Sequence, residues 1–315
     1  MIISASRRTD IPSYYSTWLM NRIEEGFVCV RNPMNFHMVS KIKLDTNVVD
    51  GIVFWTKNPI PMLEILDSIN ARGYNYYFQF SVTPYGKDVE PGIPSKPDAI
   101  IPAFQALSDR IGQERVIWRY DPILYSEKYT RDYHVHAFGE IAKALYKYTT
   151  KCTISFIDFY RNTASNVKAL NIRELSESEM SDIAKPLSDI ACSYGLKIDT
   201  CTETIDLTEF GINHARCIDD QLFEMILGCR LNSEKDKNQR LECGCIASID
   251  IGMYNTCKNG CKYCYANNSE KTVHNNISKH NPKSPLLFGD IGADDEIKER
   301  EMKSIVDPYF LSLVD

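Results

Sequence analysis

Short apolar runs alternate with stretches of three- and four-residue hydrophobic spacing along most of this chain, a pattern that predicts repeated strand–helix units and a parallel sheet. Residues 2–6 form the first apolar run. Tyr14, Tyr15, Trp18, Leu19 and Ile23 then recur at helical spacing, and Gly26 ends that helix. A second strand is expected at 48–55, with a helix around 61–70 after it. YYFQFSV, at 76–82, is aromatic and β-branched and predicts a third strand. Further strands are expected at 115–119, 152–156 and 196–200, with helices near 98–111 and 132–146 between them. Ser176-x-x-Glu179 is a capping box opening a long helix that Pro186 interrupts or kinks.

Beyond Gly211 the texture changes. A helix at 220–227 precedes a polar, cysteine-rich stretch, and a strand at 247–254 runs directly into CKNGCKYCYA. The rest is polar apart from one apolar island, SPLLF, at 284–288. Together these steps predict an α/β fold, a partial or complete (β/α) barrel. Its parts would be a barrel core at 1–210, a cysteine-rich auxiliary metal segment at 211–246, and a C-terminal strand, loop and tail at 247–315. Polar groups gather at expected strand ends, among them Arg7, Arg8, Thr9, Asp10, Thr56, Lys57, Ser81, Thr83, Arg119, Asp121, Asp158, Thr200 and Glu203. In parallel α/β proteins that edge carries function.

Composition narrows the class. With 315 residues, 43% hydrophobic and 25% charged, the chain is long enough to bury a core. A net charge of −6 disfavours a generally basic nucleic-acid binder. No apolar run is long enough for a signal peptide or a membrane span, so the expected location is the cytoplasm. Eleven cysteines are an odd number and resist complete pairing; clustered in a reducing compartment, they point to metal ligands. Cys29, Cys152 and Cys192 read as small core residues. The six histidines, His134 and His136 included, read as ordinary polar residues.

Seven cysteines fall between Cys217 and Cys264. Cys257-x3-Cys261-x2-Cys264 supplies three soft thiolates from one compact loop, the donor set of an iron–sulfur cluster. Three ligands on a [4Fe–4S] cluster leave one iron open. An open iron can bind the amino and carboxylate groups of S-adenosylmethionine and deliver an electron to its sulfonium, radical chemistry that a cofactor must supply. Tyr263, just before the third cysteine, stands where radical S-adenosylmethionine enzymes place an aromatic beside the adenine. The alternative is a structural zinc using a fourth cysteine. Cys217, Cys229, Cys243 and Cys245 are expected to close a second site, a [4Fe–4S] cluster or zinc, in which Cys201 can replace one of the four.

SASRRTDIP, VFWTKNP, YYFQFSVTPYG, RVIWRYDP, KDKNQR-x2-CGC and YNTCKNGCKYCYAN together resemble the family called domain of unknown function 1848, over nearly the whole chain. That resemblance implies a relation to radical S-adenosylmethionine enzymes, with an electron donor such as a ferredoxin or flavodoxin as partner and the substrate unknown. The chain is also similar to the photoproduct-lyase-like branch of that superfamily. There the cluster loop comes first, followed by strand ends like Thr9-Asp10, Thr56-Lys57-Asn58-Pro59 and Ser81-Val82-Thr83. Here the loop comes last, as in a circular permutant. By their positions on the strands, Ser81 and Arg119 are expected to contact the ribose and carboxylate of S-adenosylmethionine, with Asp10 a further candidate. The resemblance leaves open a non-catalytic iron–sulfur or zinc protein, and a lyase-like enzyme acting on nucleic acid.

Overall fold

The computed structural model describes residues 1–308. Among them eleven strands run in chain order as β1 (Ile2–Ala5), β2 (Phe27–Arg31), β3 (Met38–Lys43), β4 (Gly51–Thr56), β5 (Tyr76–Ser81), β6 (Val116–Ile123), β7 (Lys151–Phe156), β8 (Lys197–Thr200), β9 (Asn213–His214), β10 (Ser248–Asp250) and β11 (Glu296–Glu299). Eight of them form one sheet in the order β10-β1-β4-β5-β6-β7-β8-β9, and every pairing in it is parallel. The late strand β10 therefore lies beside the first strand, and from β1 onward the sheet follows chain order.

Burial explains the strand sequences. All four residues of β1 are buried, as in a strand covered on both faces. Alternate residues separate into two layers. Ile3, Ile52, Phe54, Tyr76, Phe78, Phe80 and Trp118 face the main core with the helices. Ile2, Val53, Tyr77 and Ile117 face a second apolar layer that includes Cys217, Cys243 and Cys245. The fold class is thus α/β with an eight-stranded parallel sheet and surrounding helices.

Most expected elements lie within a few residues of their places. The capping box of the helix Glu177–Ser193 has both bonds, Glu179 N–H to Ser176 Oγ at 3.3 Å and Ser176 N–H to Glu179 Oε2 at 3.0 Å, and the helix runs on through Pro186. The apolar island at 284–288 packs under the helix Ser16–Glu25, where Trp18 Nε1 donates to Ser284 O (2.9 Å). A separate sheet, β11-β3-β2, is an addition to the expected pattern. The expected strand at 247–254 is shorter, because the chain leaves the sheet after Asp250.

Two polar assignments change. Cys192 is exposed, on the outward face of its helix, whereas Cys29 and Cys152 are buried. His134 is wholly buried while His136 faces solvent. The His134 ring lies between the Tyr120 hydroxyl (2.9 Å from Nδ1) and Leu124 O (2.7 Å from Nε2). The carbonyl requires a proton on Nε2, so Nδ1 accepts from tyrosine. Burial lowers its pKa to about 4, against a partial offset from the Leu124 bond. The folded state therefore holds His134 neutral where an unfolded chain would protonate it. Its contribution is fully present above pH ~6.5 and is lost as the pH falls toward ~4, at most about 3 kcal/mol. Urea titrations should show stability falling through this window in the native chain and a flatter profile in His134→Gln.

Candidate metal centre

At the carboxyl edge of the sheet β1 and β10 end on one carboxylate. Asp250 accepts from Ser4 Oγ (2.9 Å), Ser6 Oγ (2.6 Å), Arg7 N–H (2.8 Å) and Gly252 N–H (3.0 Å). Any side chain at 252 would place its Cβ 2.1 Å from Ser6 Oγ, so the turn into the cysteine loop requires glycine there. A second buried carboxylate fixes the loop itself. Asp10 accepts from Thr56 Oγ1 (2.8 Å), Lys57 N–H (2.8 Å), Ser13 N–H (3.0 Å) and Asn259 Nδ2 (3.1 Å). It thereby ties the ends of β1 and β4 to the loop.

Further bonds seat the loop from all sides. Tyr15 donates its hydroxyl to Thr256 O (2.6 Å), Asn267 Nδ2 to Cys257 O (2.8 Å), and Asn166 Nδ2 to Lys262 O (3.0 Å). Gly92 N–H donates to Asn259 O at 2.9 Å. A Cβ at 92 would stand 2.7 Å from that oxygen and 2.8 Å from Asn259 Cα, a backbone contact only glycine permits.

Cys257, Cys261 and Cys264 line one open cleft of about 910 Å3, with Gly92, Gly260 and Asn267. Burial pushes the Cys257 thiol up to about 12 and raises Cys261 and Cys264 as well. Backbone N–H groups work the other way. Those of Asn259 and Asp10 point at Cys257, and those of Ala266 and Asn267 at Cys264. Amide donors aimed at sulfur favour the thiolate, the form that binds metal. Among the described residues no three His, Cys, Asp or Glu side chains converge as a single metal ion requires. Cluster ligands face a different demand, since each thiolate binds its own iron.

Beside Cys261 lies a charged network that sequence reasoning missed. Glu90, 1% exposed, accepts from Thr83 Oγ1 (2.8 Å) and Lys96 Nζ (2.6 Å), pairs with Lys57 Nζ (3.0 Å), and takes the Tyr263 hydroxyl. Burial would raise its pKa, but Lys57 and Lys96 hold it at about 2. Lys57 stays charged, because Glu90 and Cys261 outweigh its own desolvation. A fixed cation thus stands next to the loop. In the sequence, Lys57 was visible only as a polar strand end and Glu90 as part of a Pro- and Gly-rich loop.

The other expected residues divide between two places. Asp10 and Tyr263 adjoin the loop. Ser81 Oγ reaches Asp121 (3.4 Å), and Arg119 donates from Nε and Nη2 to Asp121 (3.0 and 2.5 Å) and from Nη1 to Cys217 Sγ (2.9 Å). Cys217 lies 3.1 Å from Cys201, sulfur to sulfur, and adjoins Cys245, which adjoins Cys243. Cys229 is elsewhere; its charged neighbours are Asp50 and Glu224.

Two outcomes follow for the loop. Gly92→Ala should unseat it without unfolding the sheet: peptide mapping should find Cys257 alkylated faster than in the native chain, at unchanged circular dichroism. Glu90→Gln should leave two buried ammonium groups facing each other and lower stability by about 3 kcal/mol in urea unfolding, with part of the loss recovered in Glu90→Gln/Lys96→Met.

Residues 2–266 match the family described as a domain of unknown function, DUF1848. No curated protein matches. Among solved structures, the enoyl-acyl carrier protein reductase of Bacillus cereus aligns at 12% identity, 56% of this chain and 78% of its own, with a TM-score of 0.25. The carboxyl transferase domain of Rhizobium etli pyruvate carboxylase aligns at 12% identity, 84% of this chain and 41% of its own, with a TM-score of 0.29. A pneumococcal exo-β-D-N-acetylglucosaminidase aligns at 11% identity, 64% of this chain and 53% of its own, with a TM-score of 0.25. Likenesses this weak carry no argument about fold or activity. By the match over residues 2–266 the chain belongs to the DUF1848 family.

Proposed function

We propose that this protein is a radical S-adenosylmethionine enzyme whose [4Fe–4S] cluster is held by Cys257, Cys261 and Cys264. The observation that carries the reading is the loop: three thiols on one cleft, at the carboxyl edge of a parallel sheet, with amide donors on two of them. No fourth cysteine lines that cleft among the described residues, so one coordination position is left for a ligand. When bound, such a cluster supplies an electron to the sulfonium of S-adenosylmethionine, whose cleavage gives methionine and a 5′-deoxyadenosyl radical.

The chain's own residues prepare the site. Asp10 and Gly92 hold the loop, the Lys57 ammonium offsets thiolate charge beside Cys261, and Tyr263 ties the loop to Glu90 through its hydroxyl. Ser81 lies on the same edge, with its hydroxyl 3.4 Å from Asp121. Arg119 and Asp10 are occupied by protein partners, so their part is to position neighbours. On this reading the sheet is a partial (β/α) barrel, permuted so that β10 and its loop take the place of a first strand. Its thiols suit a reducing compartment, the cytoplasm, and an electron donor such as a ferredoxin or flavodoxin. Among the described residues no helix is long and apolar enough to cross a membrane.

The test is anaerobic reconstitution with iron and sulfide, followed by dithionite and S-adenosylmethionine. The native chain should release 5′-deoxyadenosine and Cys261→Ala should release none above background. A cluster-loaded native chain that yields no 5′-deoxyadenosine would overturn the proposal.

A further inference from the structure

We infer that Cys201 and Cys217 form a redox-active dithiol on the sheet face opposite the main helical core, one that closes to a disulfide by exchange with a small-molecule disulfide. The pairing is geometric. Cys201 directly follows β8, and its amide bonds Ile154 O (2.9 Å). Cys217 comes from the segment after β9, held where Tyr77 Oη and Gln79 Nε2 both donate to its carbonyl at 2.8 Å. The two sulfurs meet at 3.1 Å. A disulfide bond is ~2.0 Å long, so closure takes a movement of about 1 Å. The backbone beside Cys201 is a second observation. Thr202, next in the chain, has φ 57°, a left-handed conformation that a β-branched residue rarely adopts and that proteins hold chiefly at functional sites.

The second metal site expected from Cys217, Cys229, Cys243 and Cys245 does not fit this arrangement. Sulfurs in direct contact leave no room for a cluster between them, and Cys229 is elsewhere. Among the described residues no three such side chains converge on one ion. Contact between two thiols is what disulfide exchange requires, because one sulfur must reach the other. Arg119, 5% exposed, donates from Nη1 to Cys217 Sγ at 2.9 Å, a charge-assisted bond once that sulfur ionises. The contact between the two cysteines raises the Cys201 thiol and lowers Cys217, and Arg119 lowers both. The Cys245 contact and burial still leave Cys217 above the ordinary thiol value.

Access sets the order of events. Cys201 is partly exposed, whereas Cys217, Cys243 and Cys245 are buried. The Cys201 sulfur therefore meets the small disulfide first. Its attack breaks that S–S bond and forms a mixed disulfide, and the thiolate released takes the Cys201 proton. Cys217 then attacks the Cys201 sulfur, the mixed bond breaks, and the second small thiol leaves with the Cys217 proton. Two protein thiols and one small disulfide thus become one protein disulfide and two small thiols. Neither cysteine belongs to the loop at 257–264, so the inference does not depend on what that loop binds.

Peptide mapping of the full-length chain decides the matter. The reduced chain is treated with oxidised glutathione, its remaining thiols are alkylated, and the peptides are compared before and after dithiothreitol. The native chain should give a linked pair of peptides joining Cys201 to Cys217, separated again by dithiothreitol. Cys217→Ser should stop at a glutathione adduct on Cys201, and Cys201→Ser should leave Cys217 without adduct. Circular dichroism establishes that each variant is folded. A native chain that ends with a lasting adduct on Cys201, with both thiols unreacted, or with Cys217 joined to Cys245 would overturn the dithiol. Those outcomes are read on the native chain, so a substitution that fails to fold leaves the test intact. Failure of the loop to make 5′-deoxyadenosine touches none of them.

Discussion

The parallel pairing of β1 with β10 is the contact on which the rest depends. It joins residues 246 positions apart, Ile2 to Ser248, and only then can Asp250 bind the Ser4 and Ser6 hydroxyls at the strand ends. Closing so long a stretch of chain costs entropy, although the cost grows only logarithmically with length. Much of the return comes from side chains already committed to the core. Tyr15 lies between the two short helical segments after β1, Ile11–Tyr14 and Ser16–Glu25, and its hydroxyl bonds a carbonyl of the cysteine loop. Asp10 caps the preceding helical turn through the Ser13 amide and at the same time holds Asn259. The loop at 257–264 is thus built onto the first fifteen residues.

Much of this was legible in the sequence, and the parts that were not share a physical reason. Most strands of the large sheet are buried on both faces, so they read as apolar runs and were found; the two-residue β9, exposed at both positions, was not. The small sheet lacks that signal. β3 carries lysines at 41 and 43, and all four residues of β11 are exposed, so no period marks it. The triad at 257–264 announced itself by spacing, because its ligands share one loop. The second thiol group did not, because its members come from three loops whose meeting depends on the sheet. Cys229 fits the local crowding of cysteines better than Cys201 does, and yet it points to Asp50 and Glu224.

Charge shows the same division between local and assembled features. In sequence Glu90 lies in the Pro- and Gly-rich stretch TPYGKDVEPGIPSKP, where no hydrophobic period marks it. In the fold it is a buried acceptor for two ammonium groups, a threonine and a tyrosine. A carboxylate this enclosed stays ionised only because its partners are enclosed with it. Lys57 is the partner that matters for the site, since it also follows Thr56, a donor to Asp10. One strand end therefore sets both the position of the loop and the charge beside it.

The two thiol groups are linked through this chemistry rather than through space alone. Asp121 binds Arg119, which donates to Cys217, and Asp121 also acts on Lys57, which faces Cys261. A change of charge at either group is felt along that path, because the intervening residues are buried and poorly screened. Arginine suits the Cys217 end: its fork serves a carboxylate and a sulfur together. Lysine suits the Cys261 end, where a compact charge must sit between a carboxylate and a thiol without covering the cleft. The same carboxyl edge of one parallel sheet supplies both, which is why residues scattered from 7 to 264 meet there.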